Sequence, residues 1–156
     1  KKGPSVLFMA GMHGDEINGI EIIRRLLKGN YFSNLLCGSV IVIPIINIVS
    51  FINGSRDLPD GRDLNRCFPG STSGSLGSRI AHDLMTEILP QIDYGVDFHT
   101  GGAKINNYPQ VRCVFDDKKS IELAKLFGSP FFLNSAYREK TFRREAANKD
   151  KPILVY

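Results

Sequence analysis

The sequence predicts a layered α/β domain, and three observations support that prediction. Short apolar runs rich in β-branched residues alternate with segments whose apolar residues recur at helical spacing. With 156 residues, the chain is long enough for one domain with a sizeable core and too short for two ordinary ones. Histidines and a glutamate follow directly after two of the apolar runs, and strand ends are where open α/β sheets bind ligands.

The first half of the chain is predicted to contain two strands, one helix and a long loop. Residues 5–10 read as a strand, and residues 39–46 read as a second strand. Between them, apolar residues from Ile17 to Leu27 recur every three or four positions, which predicts a helix that ends near Gly29. The stretch from Asn53 to Gly77 is rich in Gly, Ser, Pro, Asp and Arg, and long ordered loops of this kind are commonly functional.

The second half is predicted to hold three helices and three strands. Apolar stripes predict helices over 78–89, 120–127 and 141–148. Short apolar runs predict strands over 94–98, 111–115 and 152–156. Ser120 is the expected N-cap of its helix, Pro90 is expected to end the first helix, and Asp116–Lys119 are expected to form a solvated turn.

The composition of the chain argues against a membrane or a nucleic acid as its partner. An apolar share of 42% and a charged share of 23% describe a soluble globular protein, and no run approaches the roughly 20 apolar residues that span a bilayer. The net charge of +4 is dispersed, with no basic stripe of the kind that binds nucleic acid. Three cysteines without C-x-x-C spacing, and no secretory signal in residues 1–10, favour reduced thiols in the cytoplasm.

The most informative motif is His13-x-x-Glu16, which lies three residues beyond the first predicted strand. A second histidine, His99, stands at the end of another apolar run. Two histidines and one glutamate with an open fourth position form the ligand set of a catalytic zinc ion. Taken alone, the His-x-x-Glu spacing is equally typical of a structural arrangement without a metal, in which a histidine at the start of a helix lies near a solvated glutamate.

A second motif lies in the long loop, over residues 61–70. Asn65 and Arg66 place an amide beside a guanidinium, a combination that can hold a carboxylate. Asp63 can serve differently, as an acceptor that orients a ligating imidazole. By itself, this stretch is equally consistent with a solvated polar loop.

Three motifs in register resemble the succinylglutamate desuccinylase/aspartoacylase family, a branch of the zinc carboxypeptidase clan. They are Gly-x-His-Gly-Asp-Glu at 11–16, Asp-Leu-Asn-Arg-x-Phe-Pro-Gly at 63–70 and Asp-Phe-His-Thr at 97–100. The resemblance runs from about residue 5 to residue 156. It implies a three-layer sandwich around a mixed, mostly parallel twisted sheet, with one Zn²⁺ per chain.

The resemblance also implies roles for individual residues. It implies that the zinc ligands are His13, Glu16 and His99. It implies that Asn65 and Arg66 hold a substrate carboxylate, and that Arg56 polarises the scissile carbonyl. A further substrate-binding arginine is expected at Arg144, with Arg143 as the alternative. Behind the ligands, the residues expected to support the imidazoles are Asp63 and Asp97.

One departure from the family pattern concerns the general base. The family's glutamate is expected directly after the last strand, which is the position after Tyr156. Glu139 and Glu145 are expected to be solvated and give no substitute. A smaller β-rich C-terminal domain is also expected beyond residues 1–156, so we interpret these residues as an incomplete catalytic domain. A shortened, inactive chain is the alternative.

The three motifs, together with what the family resemblance implies, predict a zinc-dependent amidohydrolase. Such an enzyme cleaves an N-acyl amino acid or a similar small amide to a carboxylate and a free amine. Two alternatives remain open at the level of sequence: a zinc carboxypeptidase acting on peptides, and a non-catalytic zinc- or ligand-binding relative. The expected partner is a small anionic substrate rather than nucleic acid or a membrane, and a homo-oligomer is compatible with the sequence. His82, which has no partner motif, is expected at the surface or at its boundary.

Overall fold

The computed structural model describes residues 1–103 and 105–156, and it is built around one mixed six-stranded sheet. The strands are β1 Ser5–Ala10, β2 Ser39–Ile43, β3 Tyr94–Phe98, β4 Val111–Cys113, β5 Phe132–Asn134 and β6 Ile153–Val155. Their order across the sheet is β2-β1-β3-β6-β4-β5. Neighbouring strands are parallel except β4 and β6, which are antiparallel. The mixed, mostly parallel sheet is therefore confirmed.

Helices cover both faces of this sheet. They are α1 Ile17–Lys28, α2 Ile48–Asn53, α3 Leu76–Asp83, α4 Lys118–Phe127 and α5 Phe142–Ala147. Short 3₁₀ turns occupy Leu64–Arg66 and Leu89–Gln91, and a π-helical turn occupies Leu84–Ile88. None of the helices in the described part of the chain has the length and apolarity needed to cross a membrane.

The three layers follow from the alternation of side chains along the strands. Leu7 and Met9 of β1 pack into one core with residues of α3 and α5. Ala10 and Phe8, which alternate with Leu7 and Met9 along β1, pack in a second core with residues of α1. Because successive strand residues point to opposite faces, the two cores lie on opposite sides of the sheet. This arrangement is the three-layer sandwich that the resemblance implies.

Two short elements of the structure were not predicted from the sequence. α2 lies in the stretch between the predicted second strand and the long loop, and its N-cap Asn47 accepts a hydrogen bond from the Ser50 amide. β5 has only three residues and pairs with β4 alone. Neither element is long enough to show a clear period in the sequence.

Several predicted boundaries shift. The second strand ends at Ile43, directly before Pro44, which has no amide hydrogen for the ladder. α3 begins at Leu76 with Ser75 as its cap, and Pro90 lies inside a 3₁₀ turn instead of ending the helix. The fourth strand ends at Cys113.

The start of α4 is a correction to the sequence prediction. The N-cap is Asp117, whose carboxylate accepts a hydrogen bond from the Ser120 amide. Ser120 therefore lies inside the helix and is not its cap. The stretch Asp116–Lys119 is exposed except at Asp117, as expected, but it is not a simple turn, because it contains this cap and the first two residues of α4.

Candidate metal centre and substrate cavity

Two neighbouring strands bring the predicted zinc ligands together. β1 and β3 are parallel, and Ala10 lies opposite Phe98 in their register. His13 follows β1 by three residues, and His99 follows β3 directly. Because carboxyl ends of parallel neighbours meet at one edge of the sheet, the two imidazoles face each other with ring centroids 5.0 Å apart.

Glu16, the residue before α1, lies between the two histidines. Its Oε1 is 2.8 Å from Nδ1 of His13, and its Oε2 is 2.8 Å from Nδ1 of His99. Glu16 and His13 are 4% and 3% exposed. The ligand atoms of the three residues all lie within 4.8 Å of one another. The structure therefore brings together the whole ligand set predicted from sequence.

A carboxylate stands behind each imidazole. Oδ1 of Asp63 lies 3.2 Å from Nε2 of His13, and Oδ2 of Asp97 lies 2.8 Å from Nε2 of His99. Both rings thus use Nε2 for these carboxylates and turn Nδ1 toward Glu16. Carboxylates in this position fix the orientation of a ligating imidazole and raise its basicity.

The electrostatics of the cluster favour charged forms. Burial would raise the pKa of Glu16, but hydrogen bonds from His13 and His99 outweigh it and hold that pKa well below the usual range. Burial would lower the pKa of His99, but Asp97 and Glu16 outweigh it and raise the pKa to about 10. A metal ion at this cluster would compete with protons for the imidazole nitrogens.

The donor set fits a zinc ion. Two imidazole nitrogens and a carboxylate oxygen lie within 4.8 Å of one another, and all three residues border one cavity. His, His and Glu are ligands that zinc accepts in catalytic sites, where a fourth position stays open for water or substrate. The residues that could hold the ion are therefore His13, Glu16 and His99.

Close backbone contact sets the turn that carries His13 and Glu16. A Cβ on Gly14 would collide with the backbone of Ser50 and Phe51 in α2, so only glycine fits there. The side chain of Asn47, just before α2, also donates to the carbonyl of Met12. The unpredicted helix α2 thus supports the turn that carries His13 and Glu16.

Asn65 and Arg66 lie in the 3₁₀ turn of the long loop, at the edge of the cavity. Asp63 caps this turn by accepting the Asn65 amide at 2.7 Å. The side-chain oxygen of Asn65 accepts the amide of Phe142 at 3.1 Å, which leaves its NH₂ group available to an acceptor in the cavity. The pair therefore presents donors, as a carboxylate requires.

Arg56 lies in the loop after α2, between the metal centre and the second motif. Its Nη1 is 3.2 Å from Oε1 of Glu16, and its Nη2 is 3.0 Å from Oδ2 of Asp63. Arg56 also lines the cavity in front of the cluster. Its role in polarising a carbonyl stays a prediction.

The cavity in front of the metal centre has a volume of about 220 Å³. Residues of both motifs line it: His13, Glu16, Arg56, Asn65, Arg66 and His99. Arg143 lines it as well, whereas Arg144 does not. The Nε atom of Arg144 lies 3.3 Å from Oε1 of the exposed Glu139. Of the two arginines left open by the sequence, the structure places Arg143 at the cavity.

Sequence reasoning missed two arginines that also line the cavity, Arg112 on β4 and Arg138 after β5. Neither lies in a recognisable motif, and only the strand order brings them to this edge. It also missed Asp15, whose Oδ2 accepts the amide of Ala103 at 3.0 Å and so holds the chain after His99. The predicted Asp63 and Asp97 are both beside the ligands.

A family model decides the classification. The model of the succinylglutamate desuccinylase/aspartoacylase catalytic domain matches residues 2–155. The chain belongs to this family. Membership of the succinylglutamate desuccinylase/aspartoacylase family confirms the resemblance carried by the three motifs.

Individual relatives agree with this classification. The N-alpha-acetyl-L-2,4-diaminobutyric acid deacetylase of Halomonas elongata is 35% identical over 136 residues, which are 83% of this chain and 40% of that protein. A succinylglutamate desuccinylase/aspartoacylase from Rhodobacter sphaeroides superposes with a TM-score of 0.84 at 32% identity, covering 99% of this chain and 47% of that one.

A third relative is the product-bound ectoine utilization protein EutE (DoeB) from Ruegeria pomeroyi. It superposes with a TM-score of 0.85 at 26% identity, covering 99% of this chain and 49% of that one. The chain thus spans about half the length of these relatives. Over that span, the desuccinylase/aspartoacylase fold is the fold of this chain.

Proposed function

We propose that this chain is the catalytic part of a zinc-dependent deacylase that hydrolyses the amide bond of an N-acyl amino acid. One observation carries the proposal: the His13–Glu16–His99 cluster and the Asn65–Arg66 pair border the same cavity. A metal centre beside a pair of side chains that can bind a carboxylate is suited to a small substrate that carries both an amide and a carboxylate. The deacetylase activity named for the Halomonas relative supports the reaction type.

Zinc, when bound by His13, Glu16 and His99, supplies a Lewis acid that polarises the amide carbonyl and lowers the pKa of water. The chain's own residues then orient and stabilise. Asn65 and Arg66 anchor the substrate carboxylate and so fix the amide in the cavity. Arg56 donates hydrogen bonds to the oxygen on which charge develops, a contribution of about 3 kcal/mol per donor.

A general base must take a proton from the attacking water and deliver it to the leaving amine. Among the described residues, Glu16 is the one carboxylate that lines the cavity, and it faces the histidines. We keep the prediction that the base is a glutamate directly after Tyr156. The His99 amide donates to the Tyr156 carbonyl at 2.7 Å, so the next residue would enter the site beside His99.

The cytoplasmic location predicted from sequence remains part of this proposal. Cys37, Cys67 and Cys113 are all free thiols, which fits a reducing compartment.

The experiment uses the full-length protein, with zinc per chain measured by elemental analysis and hydrolysis measured on a substrate panel. The panel contains N-acetyl and N-succinyl amino acids together with peptides that have free C-termini. We expect one zinc per chain and turnover of the N-acyl amino acids, with both lost in His13→Ala. Turnover of the peptides alone would identify a carboxypeptidase, and bound zinc without any turnover would identify a non-catalytic relative.

A further inference from the structure

The segment Thr100–Ala103 directly follows the candidate zinc ligand His99 and forms part of the cavity wall. Thr100 and Gly102 line the same cavity as the candidate ligands. Two of the four residues are adjacent glycines, Gly101 and Gly102, which restrict the backbone less than any other residue type. The segment lies outside the helices and strands that the structure describes. Contacts from elsewhere in the chain must therefore hold this wall in place.

Two consecutive carboxylates hold the two ends of this segment. Oε2 of Glu16 accepts a hydrogen bond from the Thr100 amide at 3.1 Å, and Oδ2 of Asp15 accepts one from the Ala103 amide at 3.0 Å. Glu16 is a candidate zinc ligand, so a metal ion would share its carboxylate with the wall. Asp15 is not a candidate ligand, and its contact fixes the far end of the segment alone.

The Asp15 carboxylate fits closely against the backbone of Gly102. A Cβ atom on Gly102 would lie 2.6 Å from Oδ2 of Asp15, so the carboxylate occupies the space that a side chain would need. The next residue, Ala103, has a left-handed backbone with a φ of 53°, which is unfavourable for a residue other than glycine. Such a conformation persists where neighbouring contacts impose it, and the hydrogen bond to Asp15 is one of these contacts.

Other polar contacts do not account for Asp15 in this turn. Over residues 1–103 and 105–156, Asp15 forms no ion pair, and its one side-chain hydrogen bond is that from the Ala103 amide. Its Oδ1 atom is buried and has no hydrogen-bond partner in the described part of the chain. Because an unpaired buried oxygen costs free energy, we expect Asp15 to add little to the stability of the fold.

We propose that Asp15 is a positioning residue, which holds the segment Thr100–Ala103 as an ordered wall of the cavity and so favours substrate binding there. The inference rests on the proposed function, in which the substrate enters this cavity. The physical reason is that a wall ordered in the free protein does not have to be ordered at the expense of substrate affinity. Asp15 itself does not line the cavity, so it acts through the segment and does not touch the substrate.

Two substitutions at Asp15 test this role. Asp15→Ala removes the acceptor, whereas Asp15→Asn keeps a carbonyl oxygen that can accept the Ala103 amide. On the zinc-loaded full-length protein, we expect Asp15→Ala to raise KM for the best N-acyl substrate at least about fivefold and to change kcat little. The reason is that the cost of ordering the wall then falls on the ground state and the transition state alike. Asp15→Asn should restore most of the parent KM. The control Asp83→Ala, which removes an exposed carboxylate of α3 outside the cavity, should match the parent.

Gly102→Ala disturbs the same contact from the other side. The added Cβ atom collides with Oδ2 of Asp15 and should displace it from the Ala103 amide, so KM should rise as in Asp15→Ala. In the double variant the collision is absent, so its KM should stay within about twofold of that of Asp15→Ala. The positioning role would be overturned by additive increases in KM, by loss of zinc from Asp15→Ala, or by a KM in Asp15→Asn as high as that in Asp15→Ala.

Hydrogen exchange and binding measurements separate this inference from the proposed function. In the zinc-loaded full-length protein, exchange of the Ala103 amide, followed by NMR, should be at least about tenfold faster in Asp15→Ala and close to the parent rate in Asp15→Asn. Calorimetry should show weaker binding of N-acetylglycine, which carries one amide and one carboxylate, to Asp15→Ala. Both results would support the positioning role even if no amide is hydrolysed, an outcome that contradicts the proposed function. Equal exchange or equal affinity in Asp15→Ala and the parent overturns the positioning role whatever the activity.

Discussion

At the scale of single residues, the carboxylates behind the histidines orient the two imidazoles of the candidate metal centre. His13 and His99 each have two ring nitrogens, and the Nε2 contacts with Asp63 and Asp97 leave Nδ1 available to a metal ion. The ring orientation is thus determined before any ion arrives. Such supporting contacts typically contribute ten- to a hundredfold to metal affinity.

Replacing Asp97 tests this directly. Asp97→Asn keeps the size of the side chain but removes the charge that holds Nε2 of His99, so zinc affinity should fall about 10–100-fold. The measurement is competition with a chromophoric chelator. Asp83→Asn, at an exposed position of α3, is the control and should bind zinc as the parent does. Unchanged affinity in Asp97→Asn would refute the supporting role.

Arg66 tests the carboxylate grip. If it binds the main-chain carboxylate in the ground state and the transition state alike, Arg66→Ala should raise KM at least about tenfold and change kcat little. The neighbouring Arg62 is exposed and lies outside the cavity, which makes Arg62→Ala a matched control. Steady-state kinetics on the best N-acyl substrate measures KM and kcat for both variants. An unchanged KM in Arg66→Ala would count against the binding of the substrate carboxylate by Arg66.

At the scale of elements, the N-terminus of α4 contacts the loop after β5, which carries Arg138 of the cavity. The Tyr137 hydroxyl donates to Oδ2 of Asp117, the N-cap of α4, at 2.6 Å. The same ring lies against the guanidinium of Arg143. Burial and the Asp117 carboxylate raise the pKa of Tyr137 to about 12. Tyr137 therefore contacts both the N-cap of α4 and the cavity residue Arg143.

Removing the cap should weaken the fold. Asp117→Ala removes the hydrogen bonds from the Ser120 amide and from the Tyr137 hydroxyl, and we expect the free energy of unfolding to drop by about 2 kcal/mol at pH 7. Urea titration measures the change. Asp116→Ala, at the exposed neighbouring position, should stay within about 0.5 kcal/mol of the parent.

The same substitution predicts a pH dependence with a defined sign. Burial would raise the pKa of Asp117, but hydrogen bonds from Tyr137 and backbone amides outweigh it and lower that pKa. Its contribution is therefore present above the unfolded-state pKa of about 3.9 and is lost as the pH falls through the lower folded-state value. The difference between the parent and Asp117→Ala should shrink as the pH falls below about 4, and a constant difference would contradict the assignment.

At the scale of the whole molecule, the candidate metal centre joins parts of the chain that are distant in sequence. It connects the turn after β1, the start of α1, the end of β3 and the long loop that carries Arg56 and Asp63. A ligand that binds only the folded state stabilises all of these parts together.

Zinc should therefore raise the thermal stability of the chain. At a free concentration about 1,000 times Kd, the gain is about 4 kcal/mol, with roughly 2–4 °C in Tm for each kcal/mol. Calorimetry with and without zinc measures the shift. His13→Ala should show almost none of it, and magnesium should not substitute. An equal shift in the variant would mean that zinc binds elsewhere.

Much of this architecture could be predicted from sequence. The first strand and α1 were predicted within one or two residues because their apolar periods are long and regular. The elements that were missed, α2 and β5, have six and three residues and depend on packing against neighbours. The cap of α4 was misplaced because Asp117 and Ser120 are both good caps, and local sequence does not choose between them.

The sequence by itself determined the family, the layered α/β class and the residues of the metal cluster, because those depend on local periodicity and on motifs in register. Only the tertiary structure decided which side chains share the cavity. It chose Arg143 over Arg144, and it brought in Arg112 through the pairing of β4 with β6. The physical reason is that packing over the whole sheet fixes which face of a helix turns toward the cavity and which strands are neighbours. Neither can be inferred from a short segment of sequence.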